Sequence, residues 1–102
     1  DGLKDEPSDR MGPRKRLKDS YDKIFKRKHN KKYCVPTIES KLFGIGAESC
    51  TVGSADFYLT YAARKNVLVC LDSGHFHPTE NIGDKISAIC CQQGRLARVF
   101  VL

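Results

Sequence analysis

Several things are missing from this 102-residue chain, and each absence excludes something. No apolar run approaches the ~20 residues that a membrane-spanning helix needs, so no membrane partner is expected. No segment reads as a secretory signal. The five cysteines, at positions 34, 50, 70, 90 and 91, form no Cys-x-x-Cys pair, which argues against a zinc ribbon or a thioredoxin-type redox motif. Their number is odd, so free thiols in a reducing compartment are the expectation, and the cytoplasm is the expected location. The run Gly44-Ile-Gly-Ala-Glu48 supplies only part of a dinucleotide fingerprint, because the third glycine is missing at the required spacing.

What is present is a basic excess, with 18 Lys and Arg against 12 Asp and Glu and a net charge of +6. Most of the surplus lies between Arg14 and Lys32. Such a cluster suggests either a nucleic-acid contact or the solvated face of a helix. The spacing favours the second. Pro13 suits a first helical turn, and Leu17, Tyr21, Ile24 and Phe25 form one apolar stripe over a helix from Pro13 to about Lys28. Arg14, Lys15, Lys18, Lys26 and Arg27 mostly fall off the stripe, and cations in the last turn complement the helix dipole. No aromatic interleaving or reading motif accompanies them, so no nucleic-acid partner is expected.

The organising stretch lies further on, from Asn66 to Glu80. Val67 to Leu71 is a short β-branched run of the kind found in strands buried on both faces. It stops at Asp72, Gly74, His75 and His77, and Pro78 then suits the first turn of a helix from Thr79 to about Cys90, with Ile82, Ile86 and Ile89 on one face. Upstream, Cys34 to Lys41 reads as a strand in which Pro36 must stand early. It ends on Glu39 and Lys41, two apart and therefore on one face, either as a structural ion pair or as the lining of a site. Ser54 is a candidate N-cap for a helix from Ala55 to Arg64, whose Phe57, Tyr58, Tyr61 and Ala62 are spaced for core packing, and Asn66 can close it. His29 belongs on the surface, and residues 1–12 read as a loop. Strands joined by helices of this length are βαβ units, and two such strands need the rest of a sheet or barrel to bury them. With Asp1 at one end and an apolar Arg98–Leu102 at the other, the chain reads as a piece of a larger protein.

Glu39, Asp72 and His75 each fall at the carboxyl end of a strand, where α/β folds build their sites. Neighbouring parallel strands stand ~4.8 Å apart, so Glu39 and Asp72 can share a cation if their strands are adjacent. Carboxylates with an imidazole suit Mn2+, Zn2+ or Mg2+. Lys41 could donate to a substrate oxygen. His77 fits an outer-shell or packed ring better than a ligand, because the tight turn before Pro78 cannot aim every side chain inward.

The runs Glu39–Ser54 (ESKLFGIGAESCTVGS), Cys70–Glu80 (CLDSGHFHPTE) and Asp84–Ser87 (DKIS), with Asp1–Asp5 and Arg10–Leu17 in the same order, resemble the L-rhamnose isomerase family. That resemblance implies an α/β fold, a partial (β/α)8 TIM barrel of about two βα units plus a preceding helix. It implies a metal-dependent aldose–ketose isomerase that interconverts L-rhamnose and L-rhamnulose, with Mn2+ as cofactor, Zn2+ or another divalent ion at a second site, and a homotetramer as the whole enzyme. Glu39 and Asp72 match ligands of the metal that holds substrate hydroxyls, His75 a ligand of the second metal, Lys41 a lysine at the reacting end of the sugar, and Asp1 and Lys4 a loop at the barrel mouth. Residues 1–89 are then the barrel segment and 90–102 a divergent or artefactual tail. A later His, an Asp-x-Asp pair and a further Asp that complete both metal sites are absent, so the chain is expected to be inactive alone. The other readings are a different metal-dependent barrel sugar isomerase or epimerase, a small basic nucleic-acid-binding protein, or a non-enzymatic, poorly folded remnant.

Overall fold

The computed structural model describes residues 8–41, 51–93 and 99–101. Helix α1 (Met11–Lys26) is followed by strand β1 (Thr37–Glu39), helix α2 (Ala55–Lys65), strand β2 (Leu68–Leu71), a single 3-10 turn (Ser73–His75), helix α3 (Ile82–Gln93) and strand β3 (Val99–Val101). The strands form one parallel sheet in the order β1-β2-β3. Thr37, Ile38 and Glu39 stand opposite Leu68, Val69 and Cys70. Among the described residues no helix is long and apolar enough to cross a membrane.

The sheet has two unlike faces, and strand alternation assigns them. Ile38, Val69 and Leu71 point to one face and are 1–2% exposed. They pack with Tyr58, Tyr61 and Ala62 of α2 and Ile89 of α3, so both helices cover the same side. Thr37, Leu68 and Cys70 on the other face are half-buried and Glu39 is exposed. The expectation that Val67 to Leu71 is buried on both faces is therefore corrected: β2 alternates, because within the described residues helices cover only one face.

Local chemistry sets the element ends. Ser54 accepts the Phe57 N–H at 3.3 Å and caps α2, while Asn66 closes it in the left-handed region at φ 54°, which Asn tolerates better than most residues. β1 begins directly after Pro36, whose ring cannot donate to a ladder. It covers three residues rather than the eight expected.

Further expectations change. α1 is shifted two residues upstream, with Arg10 at its N-cap position, and the Asp9 carboxylate just before it accepts the Gly12 N–H at 2.9 Å. Ile24, assigned to its apolar stripe, is 56% exposed, while Leu17 is buried and Tyr21 and Phe25 pack against the core. Pro78 does not open α3. It sits in a turn closed by the Glu80 N–H donating to the His77 carbonyl at 2.8 Å, and the helix starts at Ile82, where Asn81 accepts the Gly83 N–H. α3 runs through Cys90 and Cys91 to Gln93, and β3 is a strand that the sequence reading lacks.

α1 is fastened to α2 by aromatic and polar contacts. The Tyr21 and Tyr58 hydroxyls lie 2.8 Å apart, with their rings edge to face. The Tyr61 hydroxyl donates to Asp22 at 2.9 Å, and Lys18 and Lys65 approach the same carboxylate at 2.8 and 3.3 Å. The Lys18 hydrogen bond, followed by that from Tyr61, holds the Asp22 carboxyl well below the usual carboxylate range. Burial, then Asp22, pushes the Tyr61 phenol up to about 12.

Candidate metal centre

The carboxyl ends of β1 and β2 are neighbours, and each delivers a carboxylate. Glu39 is the last residue of β1, and its partner across the ladder is Cys70. Asp72 follows β2 with extended backbone (φ −91°, ψ 118°), so it keeps the facing of Cys70 and lies on the same side of the sheet as Glu39. Asp72 also starts the 3-10 turn: its Oδ1 accepts the Gly74 N–H at 2.8 Å, which fixes the carboxylate and bends the chain back.

That bend places the imidazole of His75 between the two carboxylates. His75 Nδ1 lies 3.5 Å from Glu39 Oε1, and Nε2 lies 3.8 Å from Asp72 Oδ2. One ligand atom from each of Glu39, Asp72 and His75 falls within 4.8 Å of the others. Among the described residues these three are the only such group of His, Cys, Asp or Glu.

The set fits a divalent cation. His75 Nδ1 is buried and has no hydrogen-bond partner. A buried ring nitrogen without a partner is costly unless something else satisfies it. Two carboxylates and an imidazole form a hard-to-borderline donor set suited to Mn2+, Mg2+ or Zn2+. Donors around one such ion stand at most about 4.2 Å apart, twice a bond of about 2.1 Å, so a small side-chain adjustment closes the group.

The other residues singled out by sequence fall in different places. Lys41 lies two residues past Glu39, half-buried, with its backbone N–H donating to the Gly53 carbonyl at 2.9 Å. His77 is exposed, so it is not a packed ring. Its Nδ1 accepts the Thr79 N–H at 3.2 Å and lies 2.7 Å from the Thr79 hydroxyl, which commits it to the turn before α3. Asp1, Lys4, Asp5, Gly44, Gly46 and Glu48 lie outside the described residues. His29 is exposed.

Sequence reasoning overlooked Cys70. Its thiol donates to Glu39 Oε1 at 3.8 Å, and burial, then the nearby Glu39 charge, pushes its pKa up. The signal available was parity: Cys70 and Asp72 are two apart in extended chain. A groove of about 630 Å³ between α2 and α3, lined by Leu59, Ala63, Asp84 and Ile89 among others, includes Val69 and so lies on the helix side of the sheet, away from these donors.

The family model for L-rhamnose isomerase (RhaA) matches residues 1–100. The chain belongs to the L-rhamnose isomerase family. It is 55% identical over 96 residues to the L-rhamnose isomerase of Cronobacter sakazakii, and 53% identical over 96 residues to those of Yersinia pestis strain Pestoides F and Yersinia pseudotuberculosis serotype O:1b. Each match covers 94% of this chain. The chain spans 23% of the length of these curated L-rhamnose isomerases. The family match includes both strand ends that carry the donors.

Proposed function

We propose that this chain is a segment of a metal-dependent aldose–ketose isomerase acting on L-rhamnose, that Glu39 and Asp72 are ligands of the divalent cation that holds substrate hydroxyls, and that His75 beside them is a ligand of the second. The observation that carries the reading is the meeting of these three donors at the carboxyl ends of adjacent parallel strands, in a chain of this family. The relatives, L-rhamnose isomerases, supply the substrate. The fold is read as part of a (β/α)8 barrel. In support, the strands follow each other in chain order, all parallel, and α2 and α3 lie on one face only. An open doubly wound sheet would carry helices on both faces. Mn2+ is the proposed cation, with Zn2+ or another divalent ion at a second site, and a cytoplasmic homotetramer the proposed whole.

Interconverting an aldose and a ketose moves hydrogen between C2 and C1 and builds negative charge on the sugar oxygens. A bound divalent cation supplies Lewis-acid polarisation of those oxygens. Glu39 and Asp72 provide the negative charge that retains it, and Gly74 holds Asp72 in its orientation. The Lys41 ammonium, on the segment that follows Glu39, stabilises the charge that develops at the reacting end of the sugar.

The test uses the full-length protein containing this segment. Free Mn2+ is measured by electron paramagnetic resonance, alongside L-rhamnose turnover, in the wild type and in Glu39→Gln and Asp72→Asn. Both variants should lose Mn2+ affinity and turnover together while keeping their circular dichroism. Unchanged Mn2+ affinity in both would sink the assignment. The 102-residue chain alone, given Mn2+ and L-rhamnose, should show no turnover, and turnover at the rate of a whole enzyme would contradict this reading.

A further inference from the structure

We propose that Cys70 is a positioning residue for Glu39: its thiol hydrogen-bonds the carboxylate and fixes the rotation in which Glu39 presents an oxygen to the cation. This rests on the reading of Glu39 as a metal ligand. The two residues are direct cross-strand partners and point to the same face. Cys70 Sγ lies 3.8 Å from Glu39 Oε1, and that same oxygen is 3.5 Å from His75 Nδ1. A carboxylate oxygen has two lone pairs, so a thiol on one leaves the other for a cation.

Glu39 needs such a partner more than Asp72 does. The terminal torsion of glutamate is broad and has no sharply preferred setting. The Glu39 side chain is 38% exposed, so packing does not lock it. Asp72 is held by the Gly74 N–H within its own turn at 2.8 Å. Cys70 gives Glu39 the corresponding donor from the neighbouring strand. Its own position is firm, because Val69 and Leu71 on either side are 1–2% exposed in the core. A thiol is a weak donor. The expected effect is therefore at the lower end of what outer-shell partners contribute to metal affinity, about tenfold.

The experiment uses the full-length protein with Cys70→Val, Cys70→Ala and Glu39→Gln. Mn2+ affinity is read by electron paramagnetic resonance. The S–H stretch of Cys70 is isolated by infrared difference against Cys70→Val. The proposal expects Mn2+ Kd to rise about tenfold in both Cys70 variants, with excess Mn2+ restoring kcat. It also expects the S–H band to move toward the free-thiol frequency in Glu39→Gln, a shift that a merely space-filling cysteine would not show. Mn2+ Kd within about twofold of wild type in both Cys70 variants, or an S–H band that ignores Glu39→Gln, overturns it. If Glu39→Gln loses Mn2+ while the Cys70 variants do not, only the positioning role falls. If Glu39→Gln binds Mn2+ like the wild type, the metal-ligand reading falls and this role with it. Should one Cys70 variant fail to fold, the other variant and the S–H band still decide.

Discussion

Leu68→Ala in the full-length protein tests the barrel directly. Leu68 lies on the face of β2 opposite the helices and is half-buried, whereas Leu71 lies beneath them at 1% exposure. Truncating a buried Leu removes groups worth ~0.8 kcal/mol per methylene, and the cavity left behind brings the cost to about 2–5 kcal/mol. Leu71→Ala should cost that amount whatever surrounds the sheet. For Leu68 the cost depends on what covers its face. In a sheet with one solvated face, about half of the transfer term is lost and no cavity forms, or roughly 1 kcal/mol. In a closed barrel the same face is the packed interior, and Leu68→Ala should match Leu71→Ala at about 2–5 kcal/mol. Unfolding rates in denaturant serve as the assay, since they remain readable where unfolding is irreversible. If Leu68→Ala costs no more than about 1 kcal/mol while Leu71→Ala costs its full 2–5, the face is wet and the barrel reading is wrong.

The joint between α1 and α2 should loosen at both pH extremes. Asp22 has its pKa depressed in the folded state, so its contribution is present above the ordinary 3.8 and is lost as pH falls below it. The protection factors of the α1 amides, which are corrected for the intrinsic pH dependence of exchange, should therefore fall in acid, and Asp22→Asn should remove that fall. Tyr61 has its pKa raised, so its contribution is intact below the ordinary 10.0 and disappears as pH rises toward about 12. Its tyrosinate absorbance should develop near that upper value, and Tyr61→Phe should remove the step. Ser54→Ala deletes the α2 cap and should cost about 1 kcal/mol in thermal unfolding.

The parts of the fold that sequence made legible are those decided by neighbours in the chain. Ser54 and Asn66 bracket α2 as read, because capping and left-handed geometry depend on a few adjacent residues. Tyr58, Tyr61 and Ala62 form its buried side, as their helical spacing indicates. Sequence was less informative where tertiary context intervenes. Ile24 has the right period but faces solvent, since α1 meets α2 mainly through Tyr21, Phe25 and Asp22. Pro78 is compatible with a first helical turn and equally with the turn that His77 and Glu80 close, and only the packing of α3 decides. β3 is three residues long and has no periodicity of its own to read.

At the candidate site, the difference between what was legible and what was not comes down to register. An apolar run that stops at Asp72 locates a strand end from sequence alone. Which residue of β1 stands beside it depends on hydrogen bonds between segments about thirty residues apart, and no local pattern encodes that. Once Glu39 is set against Cys70, much of the site follows from alternation. Residues 38, 69 and 71 must then go under the helices, and residues 39, 70 and 72 must share the other face. A slip of one residue in β1 would turn Glu39 toward the core and Ile38 toward the donors, which the burial of a carboxylate forbids. The hydrophobic core under α2 therefore holds the two carboxylates within reach of one another, and any substitution that lets β1 slip should disable the site before it unfolds the sheet.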